Sequence, residues 1–425
     1  MTDRRPDRVV IINDRSTKVG GASNLAILSA DLLARAGIPV TYFAGDAAGD
    51  EQPAGDTINL DGATLLQQSR LAALAGGLYN RRAFSALSEL IERNDTSSTI
   101  YHVHGWSKIL SPSIFRALQG VRERVVLHAH DYFLSCPNGG FANYRTHEVC
   151  KLSPMSAACL TTQCDKRGYH EKVWRSARHM LREQLFPIRQ MPANIVIVHQ
   201  RMREYFVRAG VHTRDIETIA NPVEALLSTP ASPWNNRDFF FIGRLEPEKG
   251  FEDAARAARL AGVRLRIIGD GAGRALLEEK FPECMIHGWK TKDEIHELIG
   301  EARAVIISSR VPEPFALAAV EAIASGIPVI MPDAALLSTD VMQRGCGVTF
   351  RTGSPESLAA AIGRLVDDDT LIRQMSANCL RSAGGLANTP EAWGRALLEV
   401  YGRVLARADN HAVKTIRPLN AEVTA

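Results

Sequence analysis

Short, nearly continuous apolar runs alternate along this chain with longer stretches whose apolar residues recur at helical spacing. Arg8–Asn13 reads as a strand buried on both faces, because no polar residue interrupts its interior. A Gly20-Gly21 turn follows, then an amphipathic helix to about Ala36. Further strands are expected at 39–44, 99–104, 124–130 and 194–199. A stretch at about 132–168, rich in Pro, Gly, Asn and Ser, interrupts the rhythm. The alternation stops at 216–220, where Asn221-Pro222 and a Pro/Ser/Asn-rich run to Asn236 read as a linker. It then restarts, with strands expected at 238–242, 264–268, 285–287, 304–308 and 328–331. Thr291 and Glu294 form a capping box for one intervening helix, and Ser354-Pro355 opens another. A last long helix, about 390–408, lies outside the alternation. Alternating strands and helices argue an α/β fold with parallel sheets. The expected division is residues 1–221, 222–389, and a helix with tail at 390–425.

With 425 residues, 45% hydrophobic and 23% charged, the chain has the composition of a globular protein of two domains. No signal-peptide core is evident, which suggests a cytoplasmic protein. A net charge of +3 gives no reason to expect nucleic acid as a partner. Basic residues do crowd between Lys166 and Arg208, a pattern that suits an anionic membrane surface or an ordinary solvated helix equally. Of seven cysteines, Cys136, Cys150, Cys159 and Cys164 share the irregular stretch. They could close a structural zinc site or remain free thiols; their spacings are not those of a common zinc knuckle.

The chemistry concentrates after strands. Glu313 and Glu321 stand eight positions apart across an apolar run that opens a helix. Pro314 suits the first helical position or the residue before it. The N–H groups near Phe315, Ala316 and Leu317 would then be free for phosphate. Alone, the pair is better explained by a capping Glu313 and a solvated Glu321. Two cations change that reading: Arg244 follows Gly243 at a strand end, and Lys249 precedes the next helix. Paired cations beside a helix start suit a diphosphate. Gly269, Gly271 and Gly273 resemble a dinucleotide fingerprint, but Arg274 replaces its third glycine, so a tight turn is expected instead. No phosphate-binding P-loop sequence is present. Gly288 and Trp289 end another strand, where backbone could meet a base or Trp289 could be core. In the first half, Gly20 and Gly21 permit close approach of a ligand or make a plain turn. His102 and His104, like His128 and His130, alternate on one strand face. His130 adjoins the loop and is the better substrate contact. A metal held by these histidines is disfavoured, since no carboxylate partner stands at suitable spacing.

Taken together, the G-R-L-x-x-x-K-G, G-D-G and E-P-F-led E-x7-E sequences resemble the GT4 retaining glycosyltransferases of GT-B fold. The His130-to-Pro137 run is similar to a bacterial subgroup that builds surface glycans or exopolysaccharide. The resemblance implies two Rossmann-like domains facing a central cleft, acceptor-side first and nucleotide-sugar-binding second, with the last helix packing back on the first. It implies a hexose-type sugar moved from a UDP- or GDP-linked donor to a glycan or lipid-linked acceptor, without a cofactor or catalytic metal. Arg244 and Lys249 would hold the diphosphate, and Glu313 the sugar hydroxyls. Phe315, Ala316 and Leu317 would meet sugar or phosphate, and Glu321 the ribose. His130 would approach the reacting carbon, and Gly20 and Gly21 would line the donor pocket. Many relatives carry glycine where this chain has Ala316, which narrows that space. The rival readings are a nucleotide-sugar epimerase and a non-catalytic nucleotide-sugar-binding protein.

Overall fold

The structure, a computed structural model, describes residues 4–416. In chain order the strands are β1 (Arg8–Asn13), β2 (Val40–Ala44), β3 (Asp56–Asn59), β4 (Thr99–Val103), β5 (Val125–Ala129), β6 (Ala142–Asn143), β7 (Glu148–Val149), β8 (Ile195–Ile197), β9 (Ile216–Thr218), β10 (Asp238–Ile242), β11 (Leu265–Ile268), β12 (Met285–Gly288), β13 (Ala302–Ile306), β14 (Val329–Pro332) and β15 (Gly347–Phe350). The contacts divide the chain into two units. One comprises Met1–Pro137, Val173–Ile219 and Pro390–Ala425; the other comprises Asn138–Lys172 and Ala220–Thr389.

The first unit is built on a sheet of order β3-β2-β1-β4-β5-β8-β9, parallel at every pairing. Helix Gly21–Arg35 packs on it through Leu25, Ala26, Ala30 and Leu33. The helix Pro390–Ile416 joins the same core. Its Trp393, Leu397, Val400, Tyr401 and Val404 recur at helical spacing and pack in one cluster with Val9, Ile11 and Tyr42. This helix continues past residue 408, because no glycine or proline follows until Pro418. The expected tail from 417 onward lies outside the described residues.

The second unit holds a sheet of order β12-β11-β10-β13-β14-β15, again parallel throughout. Its core gathers Phe239, Phe241, Ile306, Ile330 and Val348 with helix Phe251–Ala261 and helix Pro355–Val366. Thr291 caps helix Lys292–Ile299 with both bonds of the capping box, and Ser354 caps the helix begun by Pro355. The edge strands β3 and β15 had no clear sequence signal: β3 is half-exposed and polar, and β15 opens on a glycine. Gly347 is required there, since a Cβ would lie 2.0 Å from the Val329 carbonyl oxygen. The cysteine-bearing stretch, expected as an insertion in the first domain, has its contacts with the second unit from Asn138 to Lys172. It forms the short antiparallel ribbon β6–β7. Among the described residues, no helix is long and apolar enough to cross a membrane.

In each sheet the strand order reverses beside its first strand: between β1 and β4, and between β10 and β13. Ligands of open α/β sheets bind beyond the carboxyl ends of strands at such a point.

Candidate functional site

In the second unit, the loops after β10 and β13 carry the cations and the acid. Lys249 ends a single 3-10 turn, Pro247–Lys249, and Gly250 leads into the next helix in a left-handed conformation with φ 66°. A Cβ at Gly250 would lie 1.9 Å from the Ser308 carbonyl oxygen, so only glycine lets the two loops meet. Ser308 Oγ then donates to the Lys249 carbonyl at 3.0 Å. This seam brings the Lys249 ammonium onto Glu313 Oε1, while Ser309 Oγ donates to Oε2. Both charged side chains are largely buried, at 25% and 17% exposure. Burial pushes the Glu313 carboxyl up, but the Lys249 charge and hydrogen bond, the Ser309 hydroxyl and the Arg244 charge together hold it below its usual value. Arg244 itself is exposed and makes no ion pair among the described residues. A fixed carboxylate beside one paired and one unpaired cation can bind sugar hydroxyls and a diphosphate together.

The helix after Glu313 starts later than its sequence suggests. Leu317–Ala324 is helical, and Pro314 lies in the loop before it rather than at its first position. Ala316 occupies the N-cap with no side-chain cap, so the N–H groups of Leu317 and Ala318 lack a helical partner, whereas Ala319 and Val320 donate to the Ala316 carbonyl. Phe315 and Ala316 are buried. Glu321 lies midway along the helix, its carboxyl raised above the usual value by burial, with Lys292 opposing and Glu224 adding to the shift. Gly269 and Gly271 have φ 147° and 152°. Their need is local: a Cβ on Gly269 would lie 1.9 Å from the Gly243 carbonyl oxygen, and one on Gly271 3.0 Å from Leu245 backbone. Trp289 is 70% exposed beside Gly288, so it is not core.

Three residues of this neighbourhood gave no clear signal in the sequence. Ser309 holds Glu313. Arg310 pairs with the buried Asp253 at 2.5 and 2.7 Å and fixes the loop. Lys166, from the cysteine-bearing stretch, pairs with Glu248 one residue from Lys249. A serine or arginine just after a strand end was the only available cue.

In the first unit, Gly20 caps helix Gly21–Arg35 with φ 85° and nothing within 4 Å of a Cβ. Asp14, after β1, accepts the N–H groups of Lys108, Ile109 and Leu110 at 2.8 to 2.9 Å, tying together the ends of β1 and β4. His102, His104, His128 and His130 form two hydrogen-bonded pairs. His102 Nε2 faces His128 Nδ1 at 3.2 Å, and His104 Nδ1 faces His130 Nε2 at 2.9 Å. Within each pair the rings are nearly coplanar, at 16° and 19°. Burial holds His102 and His130 down to about 3, and holds His104 and His128 well below their usual value. Nitrogens of His102, His104 and His128 lie within 4.8 Å of one another. At 3.2 and 2.9 Å the two pairs stand at hydrogen-bond distance, so each pair as placed can share a proton.

Three of the crowded cations of the 166–208 region turn inward, while Lys166, Arg167 and Arg201 are exposed. Lys172, Arg178 and Arg182 are 1%, 5% and 0% exposed. Lys172 Nζ donates to the sulfurs of Cys164 at 3.2 Å and Cys159 at 3.5 Å. Arg178 lies over Trp106 and Trp174, and Arg182 donates to the Leu134 carbonyl at 2.7 Å. The helix Tyr169–Leu185 exposes Val173 and Met180 instead. Cys136 falls in the first unit, and Cys150, Cys159 and Cys164 in the second.

Two doubly wound parallel units, one carrying a Lys–Glu–Arg cluster at its switch point, have the architecture of the GT-B fold. Residues 19–225 match the model for Glycosyltransferase Family 4, and residues 224–381 that for Glycosyl transferases group 1. The chain belongs to this glycosyltransferase family. It is 39% identical over 94 residues to a GDP-mannose-dependent alpha-mannosyltransferase of Mycobacterium tuberculosis, covering 22% of this chain and 25% of that protein. It is 26% identical over 258 residues to the same organism's glycogen synthase, covering 57% and 60%. The chain thus spans between a quarter and three fifths of these curated relatives. Among solved structures, sucrose-phosphate synthase from Thermosynechococcus elongatus superposes with TM-score 0.70 at 18% identity, over 94% of this chain and 99% of that one. Anabaena HepE in complex with UDP gives 0.65 at 15%, over 93% and 100%. At such identities these two share the fold.

Proposed function

We propose that this protein is a retaining glycosyltransferase that moves a hexose-type sugar from a nucleoside-diphosphate-sugar to a glycan or lipid-linked acceptor. The observation that carries the reading is the Lys249–Glu313–Ser309 cluster beside the unpaired Arg244. Lys249 and Arg244 neutralise charge that develops on the departing diphosphate. Glu313, held ionised, accepts hydroxyls of the donor sugar. The uncapped start at Leu317 offers N–H groups to phosphate, and Glu321 meets the ribose. The acceptor hydroxyl attacks the face the diphosphate leaves, so the anomeric configuration is retained. The chain's own cations supply the counter-charge, so the reading calls for no cofactor. Dialysis against a chelator should leave turnover unchanged.

Resemblance in the His130-to-Pro137 run supports a bacterial surface-polysaccharide role, with the enzyme in the cytoplasm. Contact with an anionic membrane is a finer reading. The inward basic side chains weaken its electrostatic form, and the exposed Val173 and Met180 favour an apolar one. Flotation with anionic liposomes, at low and high salt, separates the two. The reaction is tested by supplying UDP- and GDP-sugars with and without saccharide acceptors. Nucleoside diphosphate released only with an acceptor supports transfer; an isomerised donor without one would favour an epimerase.

A further inference from the structure

His130 belongs to a hydrogen-bonded row whose proton positions can be worked out. Ser29 has one hydroxyl proton, and Oγ donates it to the Ala26 carbonyl at 2.7 Å. Ser29 Oγ also lies 3.4 Å from His104 Nε2, where it can only accept. His104 therefore carries its proton on Nε2. Its Nδ1 is then a bare lone pair, and it faces His130 Nε2 at 2.9 Å. Two lone pairs do not face each other at that distance, so His130 Nε2 is the donor. One proton per neutral ring leaves His130 Nδ1 as an acceptor. That nitrogen has no partner in the protein. Ring contacts fix the rings: His130 stacks on His128 with centroids 4.3 Å apart, and His104 lies tilted against His102 at 4.1 Å. The low basicity of both rings keeps each to a single proton.

We propose that Ser29 and His104 are positioning residues that hold His130 in the Nε2–H form, so that Nδ1 accepts a hydrogen bond from a hydroxyl of the bound saccharide. This rests on the reading of His130 as a substrate contact. A hydroxyl donor is the ligand chemistry such a nitrogen takes; a carbonyl or carboxylate oxygen would be repelled.

The test is nitrogen-15 NMR of histidine-labelled full-length protein, with steady-state kinetics on variants. The wild type should show a protonated Nε2 and a bare Nδ1 at His130. Ser29→Ala frees His104 to reverse, so His130 should shift toward the Nδ1–H form and kcat should fall about tenfold, the scale of one lost hydrogen bond. His104→Asn retains an amide oxygen near the position of Nδ1 and should keep both tautomer and rate; His104→Leu should lose both. The donor KM should stay within about twofold throughout, a split that loosened packing would not give. A wild-type proton on Nδ1, or an unchanged His130 spectrum in Ser29→Ala, overturns the inference. If the tautomers behave as stated but His130→Ala keeps wild-type kcat and KM, the reading of His130 as a substrate contact fails, and the ligand half of the proposal with it.

Discussion

Lys249 and Glu313 depend on each other. The lysine would leave a largely buried carboxylate unpaired if removed, and the carboxylate a largely buried ammonium. Lys249→Ala and Glu313→Ala should each lower kcat/KM by about a hundredfold or more, the scale of losing one charge-stabilising contact. The double variant should lose less than the product of the two, because each single change already breaks the pair. Additive losses in that cycle would separate the two residues. Glu313 also carries a pH signature. Its carboxyl is held below the ordinary value, so the pair's contribution to stability is complete above the unfolded value of about 4.3 and disappears as pH falls through the lower folded one. Unfolding of wild type and Glu313→Gln across that acid range should converge only at its lower end.

Loops, not strands, place these side chains, and their glycines are exposed to simple tests. Gly250→Ala would drive a Cβ into the Ser308 carbonyl and Gly269→Ala into that of Gly243, each at 1.9 Å. Each should cost about 2 kcal/mol or more and lower the thermal midpoint by several degrees. An unchanged midpoint would mean that the loops yield. The sequence made the apolar inner strands, the capping box and the two cations with Glu313 legible, because apolar runs and strand-end glycines carry local signals. It misplaced the helix start: Pro314 looked like the first helical residue or the one before it, yet the helix begins only at Leu317. It also could not show that Lys172, Arg178 and Arg182 turn inward, since their partners are sulfurs, indole faces and a carbonyl distant in sequence. Ser309 was missed although its partner Glu313 lies only four residues on, because a lone serine after a strand carries no pattern of its own. The cysteines support a further element-scale proposal. If their thiolates hold zinc, chelator-free protein should carry about one equivalent per chain; less than about a tenth leaves free thiols with Lys172 among them.

For the whole molecule, the four histidines tie stability to pH. Each ring is held neutral in the fold, with His102 and His130 down to about 3, whereas an unfolded histidine titrates near about 6.5. Below that value the unfolded chain binds more protons than the native one, so stability falls as pH drops from about 6.5 toward 3. The thermal midpoint should fall steadily over that range, and His128→Asn should flatten the slope. The central claim is that the second unit grips a nucleoside diphosphate through Lys249 and its partners. Calorimetric titration of UDP and GDP into wild type and Lys249→Ala tests this most directly. At least one nucleotide should bind the wild type, with affinity falling about tenfold or more in the variant. Equal affinity in both proteins, or no binding of either nucleotide to the wild type, would contradict the account.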